Sequence, residues 1–248
     1  MSGALEAHGL RRAFHGFAAV DGVDLRVEPG ERRAVIGPNG AGKTTLFNLM
    51  TGMTTPDAGT VRLDGRDITG LPVHRIAAAG IGRAFQLTSI FARLTVLQNV
   101  QVALLSRRSA TRRVWGSAWR PDRARAEAVL AEVGIGHLAA VPAGTVSHGD
   151  QRALELAIAL AMEPCVLLLD EPTAGMAPAE TEAAMTLVRR VVAERAITLL
   201  FCEHDMDVVF GTADRITVLH EGRVLAEGTP AEVRAHDGVR EVYLGSAA

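Results

Sequence analysis

Lysine is almost missing from this chain: of its 26 strongly basic side chains one, Lys43, is a lysine and every other is an arginine. Cysteine is nearly as scarce. Cys165 and Cys202 each lie inside an apolar run, which reads as two small buried hydrophobes in a reducing compartment with no disulfide between them. Long apolar runs are missing too, since no segment reaches the roughly 18 residues that a membrane-spanning helix needs. Met1 to Glu6 lack the basic start and apolar stretch of an export signal, so a cytoplasmic location is expected. Nor is there an excess of positive charge. The formal net charge is −2 and the pI is near 6.5, a balance that argues against a general nucleic-acid binder, and no nucleic-acid partner is expected. No internal repeat or low-complexity linker is visible. What remains, 48% apolar and 22% charged residues over 248 positions, suits a globular protein read as one domain spanning 1–248.

The lone lysine stands in the most informative stretch, Gly37-Pro38-Asn39-Gly40-Ala41-Gly42-Lys43-Thr44-Thr45. Two glycines with four residues between them, then Lys and a hydroxyl residue, form the phosphate-loop pattern. Apolar Ala34-Val35-Ile36 precedes it and Leu46 to Met50 follow at helical spacing, the strand–loop–helix setting that the motif requires. Glycines let backbone N–H groups turn inward around phosphate oxygens at a helix N-terminus, where partial positive charge favours anions. Lys43 is then placed to reach the terminal phosphates and the Thr44 hydroxyl to hold Mg²⁺. A composition that uses arginine everywhere else keeps the compact ammonium here.

The rest of the chain reads as mixed α/β. Short alternating pieces at Leu5 to Leu10 and Val23 to Val27, then Ala34 to Ile36, predict a β-rich start. Phe14, in the segment Arg12 to Phe17, is either a core residue or a base-stacking one; spacing favours the core. Thr60 to Gly65 predicts a strand and turn, Leu71 to Ala79 a helix stopped by Gly80, and Gly82 to Gln86 a short strand. Helices are predicted at 95–105 and 122–133, and from Ser147, a plausible N-cap, to Met162. Together they form a helical excursion at about 87–165. Val166 to Leu169 is a continuous apolar strand of the kind buried on both faces of a parallel sheet, and it ends in Asp170-Glu171. Carboxylates there suit metal-assisted phosphate chemistry, with Asp170 orienting Mg²⁺ and Glu171 polarising a water. The bland alternative is an acidic strand end that caps the next helix. Pro178 to Glu194 predicts a helix and Ile197 to Cys202 another buried strand, which delivers His204 towards the same crevice. Neither His148 nor His204 has a second ligand at metal-site spacing. A hairpin, Ile216 to Leu219 with Arg223 to Glu227, and two short helices close the chain.

One stretch stays open. Ser106 to Arg125 carries seven arginines against Asp122 alone, with Trp115 and Trp119, the chain's only tryptophans. It is a solvated surface excursion, a patch facing an anionic membrane or a membrane-bound partner, or, less in keeping with the overall charge, a nucleic-acid face.

These motifs, in this order, resemble the nucleotide-binding subunit of an ATP-binding-cassette (ABC) transporter almost end to end. The resemblance implies a P-loop NTPase core with an N-terminal antiparallel β-subdomain and an α-helical signature subdomain. It implies ATP and Mg²⁺ as cofactors, bound by residues 37–45, with Phe14 as the adenine-stacking aromatic, which reverses the core reading. Gln86 falls on the glutamine that senses Mg²⁺ and the membrane partner, Val146 to Asp150 on the signature, Asp170 on the metal carboxylate, Glu171 on the catalytic base and His204 on the switch histidine. It further implies a second cassette paired head to tail, identical or paralogous, whose Ser147 and Gly149 meet the γ-phosphate across the interface. Permease subunits in the membrane, and indirectly a periplasmic binding protein, are the other implied partners, with the chain peripheral on the inner membrane face.

Two positions depart from the family pattern. The usual signature Leu-Ser-Gly-Gly-Gln is here Val146-Ser147-His148-Gly149-Asp150, and Asp150 is expected to point away from phosphate or to bond the helix start. The loop after the catalytic Glu usually ends in Asp, and Ala177 stands there. Within the family, Ala174-Gly175-Met176, the long basic excursion and the ending Val242-Tyr243-Leu244-Gly245 look like branched-chain amino acid and urea or amide importers. The lipopolysaccharide-export ATPase shares the Tyr-Leu-Gly ending and is the alternative. A soluble ABC ATPase acting on DNA or ribosomes would call for fused cassettes or a basic surface, and a P-loop kinase would leave the signature helix and His204 without a purpose.

Overall fold

Alternation in the first residues becomes an antiparallel sheet. In the computed structural model, which describes residues 3–84, 90–107 and 120–243 (side chains of Arg120, Pro121 and Tyr243 excepted), β1 (Leu5–Phe14) pairs with β2 (Phe17–Val27). They meet at His15-Gly16, both at positive φ (48° and 86°), the turn whose twist suits two adjoining strands. β4 (Ala58–Leu63) joins the other edge of β1, followed by β5 (Arg66–Asp67), giving the order β2-β1-β4-β5. β1 and β2 are longer than the sequence suggests. At the turn end Arg11, Ala13, Phe14, Phe17 and Ala18 are exposed, so backbone pairing continues where apolar alternation has stopped, through register shifts at Ala7/Leu10, Leu10/Arg11 and Arg12/Ala13.

The second sheet positions the site. It comprises β3 (Arg32–Ile36), β6 (Ile81–Ala84), β7 (Val166–Asp170), β8 (Thr198–Cys202), β9 (Arg215–His220) and β10 (Arg223–Gly228), in the order β10-β9-β3-β8-β7-β6. All neighbours are parallel except β10 with β9. Ala34 to Ile36, Val166 to Leu169 and Leu199 to Cys202 are continuous apolar runs because both faces of the sheet are covered. Ala34, Ile36, Leu167, Leu169, Leu199 and Phe201 belong to one core; Val35, Val166, Leu168, Leu200 and Cys202 belong to the other.

The first of these cores contains residues of α3 (Val96–Arg107), α4 (Arg120–Glu132), α5 (His148–Ala161) and α6 (Pro178–Glu194). The second contains α1 (Lys43–Met50), Ile76 of α2 (Val73–Ala79) and the four-stranded sheet. α2 starts after Pro72 and stops where Gly80 turns to φ 114°. A helix not foreseen, α7 (Met206–Thr212), begins at Asp205, whose side chain accepts from the N–H groups of Asp207 and Val208. Two turns are too short to carry a periodic apolar stripe, so only the cap could have announced it. α8 (Pro230–Ala235) and α9 (Asp237–Tyr243) close the chain.

In the basic stretch, Arg107 of α3 and Arg125 of α4 both pair with Glu163, and Arg123 pairs with Glu127 one turn on. Part of its charge is therefore used inside the fold. Arg108, Arg112, Arg113, Trp115 and Trp119 lie outside the described residues, as does Gln86. Cys165 and Cys202 are free thiols; Cys202 is buried, whereas Cys165 is only partly so. Among the described residues no helix is long and apolar enough to cross a membrane.

Candidate nucleotide site

Because β3, β8 and β7 are parallel neighbours, the loops after them emerge at one edge of the sheet, where open α/β sheets bind ligands. The loop after β3 requires its glycines. A Cβ on Gly37 would lie 2.2 Å from the Leu219 carbonyl oxygen, and one on Gly42 would lie 2.3 Å from that of Ala19. Gly40 meets no such obstacle but takes φ 82°. Lys43 opens α1 and is buried, and its Nζ donates to the carbonyls of Gly37 (2.7 Å) and Pro38 (3.2 Å). Burial pushes its amine below the ordinary lysine range, while nearby Cys202, Glu171 and Asp170 pull it back. The ammonium is folded over the loop it would share with phosphate.

A cleft gathers Phe14, Phe17, Ala19, Asn39 to Thr45, Glu171 and His204. Phe14 is 41% exposed and stacks beneath the Arg12 guanidinium at 4.9 Å. Spacing alone had placed it in the core; instead the hairpin carries it to the cleft rim. Phe17, 64% exposed, stands beside it. Sequence reasoning did not single out Phe17, although the pairing Phe14–Phe17 follows from a two-residue turn at His15-Gly16.

The strand ends bring the acidic residues to the same place. Asp170 is buried; its Oδ2 accepts from Arg83 Nη2 (2.9 Å) and its Oδ1 from the Cys202 thiol (3.1 Å). Burial, then the Asp170 charge, pushes the Cys202 thiol far up, so the sulfur is a protonated donor. Glu171 follows at φ 53°, a left-handed conformation that costs a non-glycine residue about 1–3 kcal/mol. It breaks the strand and turns the carboxylate into the cleft, where Oε1 lies 2.9 Å from His204 Nε2. A divalent ion fits this donor set. Asp170 offers hard carboxylate oxygens beside Glu171, and the Thr44 hydroxyl is on the wall of the cleft that Glu171 lines, the oxygen ligands that Mg²⁺ prefers.

Glu203 is a residue the sequence reading passed over. Its buried carboxylate accepts from the Thr173 N–H (2.8 Å) and hydroxyl (2.6 Å) and from the His204 N–H (3.1 Å). It thereby ties the loop after Glu171 to the residue that faces Glu171. The available signal was a carboxylate directly after an apolar strand and before His204. Glu203→Ala is expected to lower stability by about 1–3 kcal/mol, because buried Thr173 donors lose their acceptor. Loosening the Glu171–His204 geometry should also cut kcat by about 10–100-fold with little change in ATP affinity. Denaturant melts, steady-state ATPase kinetics and nucleotide titration check the three parts.

Ser147 and Gly149 are not among the residues lining the cleft. Ser147 is the exposed N-cap of α5; its Oγ accepts from the Asp150 N–H (3.2 Å) and donates to the Asp150 carboxylate (2.6 Å). Asp150 therefore bonds the helix start, one of the two expected arrangements. Ala177 caps α6 without a side-chain acceptor, and Glu180 reaches back to its N–H at 3.0 Å. That is half of a capping box, the half that survives when Asp is replaced by Ala.

A phosphate loop on a central parallel strand, an acidic end on the second strand along and a histidine opposite it define a P-loop nucleotide-hydrolysing cassette. The family model described as ABC transporter matches residues 20–174, and one described as branched-chain amino acid ATP-binding cassette transporter matches residues 223–248. The chain belongs to the ABC transporter ATP-binding family, and its chemistry is ATP hydrolysis. It is 41% identical to the high-affinity branched-chain amino acid transport ATP-binding protein BraF of Pseudomonas aeruginosa, over 98% of each chain. To LivG of Escherichia coli, which carries the same description, it is 39% identical, again over 98% of each. Among solved structures, a nucleotide-free ATP-binding cassette from an ABC transporter superposes with TM-score 0.87 at 30% identity, covering 98% of this chain and 100% of that one. A dimeric bacterial ABC transporter cassette superposes at 0.78 and 26% identity, covering 91% and 98%.

Proposed function

We propose that this chain is the ATP-hydrolysing subunit of a membrane importer for branched-chain or other hydrophobic amino acids, working head to tail with a second cassette at the inner membrane face. The observation that carries the catalytic part is the Glu171–His204 pair, 2.9 Å apart, in one cleft with the Lys43 loop. The identities to BraF and LivG carry the substrate class.

In this reading the N–H groups of residues 39–45 and the Lys43 ammonium hold the β- and γ-phosphates, and Phe14 stacks on the base. Thr44 and Asp170, with Gln86, would hold Mg²⁺, which when bound would neutralise the phosphate charge. Glu171 accepts a proton from the attacking water, and His204 orients that carboxylate while its ring faces the γ-phosphate. Ser147 and Gly149 contact the phosphate of the partner cassette's nucleotide. Ser147 must release Asp150 to do so.

The test is reconstitution with the candidate permease and binding-protein subunits in lipid. Leucine-stimulated ATPase activity and uptake are expected; stimulation by urea or amides alone, or ATPase coupled to lipid export, would overturn the substrate assignment. The basic stretch is assigned to the membrane side. Replacing residues 108–119 by a short Gly-Ser link should leave ATPase activity in solution within about twofold but reduce assembly with permease-containing vesicles. The Arg107 and Arg125 pairs to Glu163 stay in place in that variant. Unchanged vesicle binding and transport would return this stretch to a plain surface excursion.

A further inference from the structure

Asp170 has a partner that its assigned role does not explain. Arg83 projects from β6, and its Nη2 donates to Asp170 Oδ2 at 2.9 Å. Its Nη1 donates to Asn48 Oδ1 (2.7 Å) and Thr51 Oγ1 (3.1 Å) at the end of α1, and the guanidinium lies 6.0 Å from the Phe47 ring centre. The two side chains are 12% and 4% exposed, so this is an ion pair shielded from water. It joins the helix of the phosphate loop to the strand that ends in the acidic residues. A buried carboxylate with no counter-charge either takes up a proton or captures a cation. Here the cation is built in, and arginine, which stays charged when buried, suits the task.

We propose that Arg83 is an internal counter-ion that holds the Asp170 carboxylate in a fixed orientation in the nucleotide-free protein and keeps divalent metal off that carboxylate until nucleotide phosphates are present. The inference rests on the reading of Asp170 as the metal carboxylate. A guanidinium and a divalent ion sharing one carboxylate repel each other, and that repulsion acts strongly in a site with little water. Phosphate charge beside Lys43 offsets it, so metal entry becomes conditional on nucleotide. Arg83 is thus a positioning residue, acting through Asp170.

The experiment is a titration of nucleotide-free protein with Mn²⁺, followed by the paramagnetic resonance signal of the free ion. Arg83→Gln is expected to bind Mn²⁺ at least tenfold more tightly than the unaltered protein, and adding Asp170→Asn should abolish the gain. Arg83→Lys, which keeps the charge, should exclude Mn²⁺ as the unaltered protein does. A Gln variant no tighter than the parent, a gain that survives Asp170→Asn, or a Lys variant as tight as Gln would overturn the proposal. Metal-free melting of the single variants and of Arg83→Gln/Asp170→Asn supplies a second measure. Each single change should lower Tm and the pair should recover it, whereas additive losses would overturn the proposal. ATP added to the unaltered protein should raise its Mn²⁺ affinity. If ATP does not bind at all, the nucleotide reading is what fails, and the nucleotide-free comparisons still decide the role of Arg83.

Discussion

Glu171→Gln is expected to abolish turnover while leaving ATP bound, with kcat falling by the roughly 10²–10⁴-fold that a positioned general base contributes. Glutamine keeps the length of the side chain and an oxygen within reach of His204 Nε2, which lies 2.9 Å from Glu171 Oε1. It cannot accept the proton of an attacking water. The phosphate contacts come from elsewhere, from the loop and from Lys43, and remain. With hydrolysis blocked, nothing removes the γ-phosphate that would join two cassettes, so the variant should accumulate as a dimer in ATP and Mg²⁺. Sedimentation velocity reads this directly. A variant that stays monomeric with saturating ATP, or one that turns over at the parental rate, would remove Glu171 from its assigned place. His204→Ala should also slow turnover, since it leaves Glu171 without the group that orients it.

Lys43→Ala should weaken ATP binding by about 2–5 kcal/mol, the range for truncating one member of a desolvated charge pair, or roughly 30-fold to several thousandfold in Kd. The side chain is 7% exposed and starts the helix directly beneath the loop. Water therefore has little room to substitute for it. Its Nζ donates to the Gly37 and Pro38 carbonyls, so the charge sits against the loop itself. Because burial holds its amine below the ordinary range, the charge is lost earlier than for a free lysine as pH rises. Affinity for ATP should therefore decline on the alkaline side, in a limb that Lys43→Ala lacks. Isothermal titration across pH 7 to 10 checks both statements, and unchanged affinity in the variant would contradict the assignment.

How much of this was legible before the fold was known differs from residue to residue. The phosphate loop was readable because it is local. Its glycine spacing, flanking strand and following helix lie within twenty residues, and the physics of a backbone cradle needs nothing further away. Asp170-Glu171 were readable as the end of a four-residue apolar run that follows a helix stop at Pro164, the form of a strand buried on both faces of a parallel sheet. α6 was readable from its proline start and long periodic stripe. Phe14 was misplaced by spacing alone, because an aromatic in a strand does not say which side of a hairpin will be open. Arg83 and Glu203 carried no motif that spacing rules detect. Their partners lie 87 and 30 residues away in sequence, and such contacts exist only once the strands are ordered β8-β7-β6.

The phosphate loop, the acidic strand end, the family and the chemical class of the ligand were determined by the sequence itself, since each depends on residue type at short spacing. The tertiary structure alone decided which groups face one another. It set His204 against Glu171, closed Asp170 between Arg83 and Cys202, and turned Ser147 onto Asp150. These are through-space relations between charges and donors, and their strength depends on distance and burial, which no linear spacing specifies.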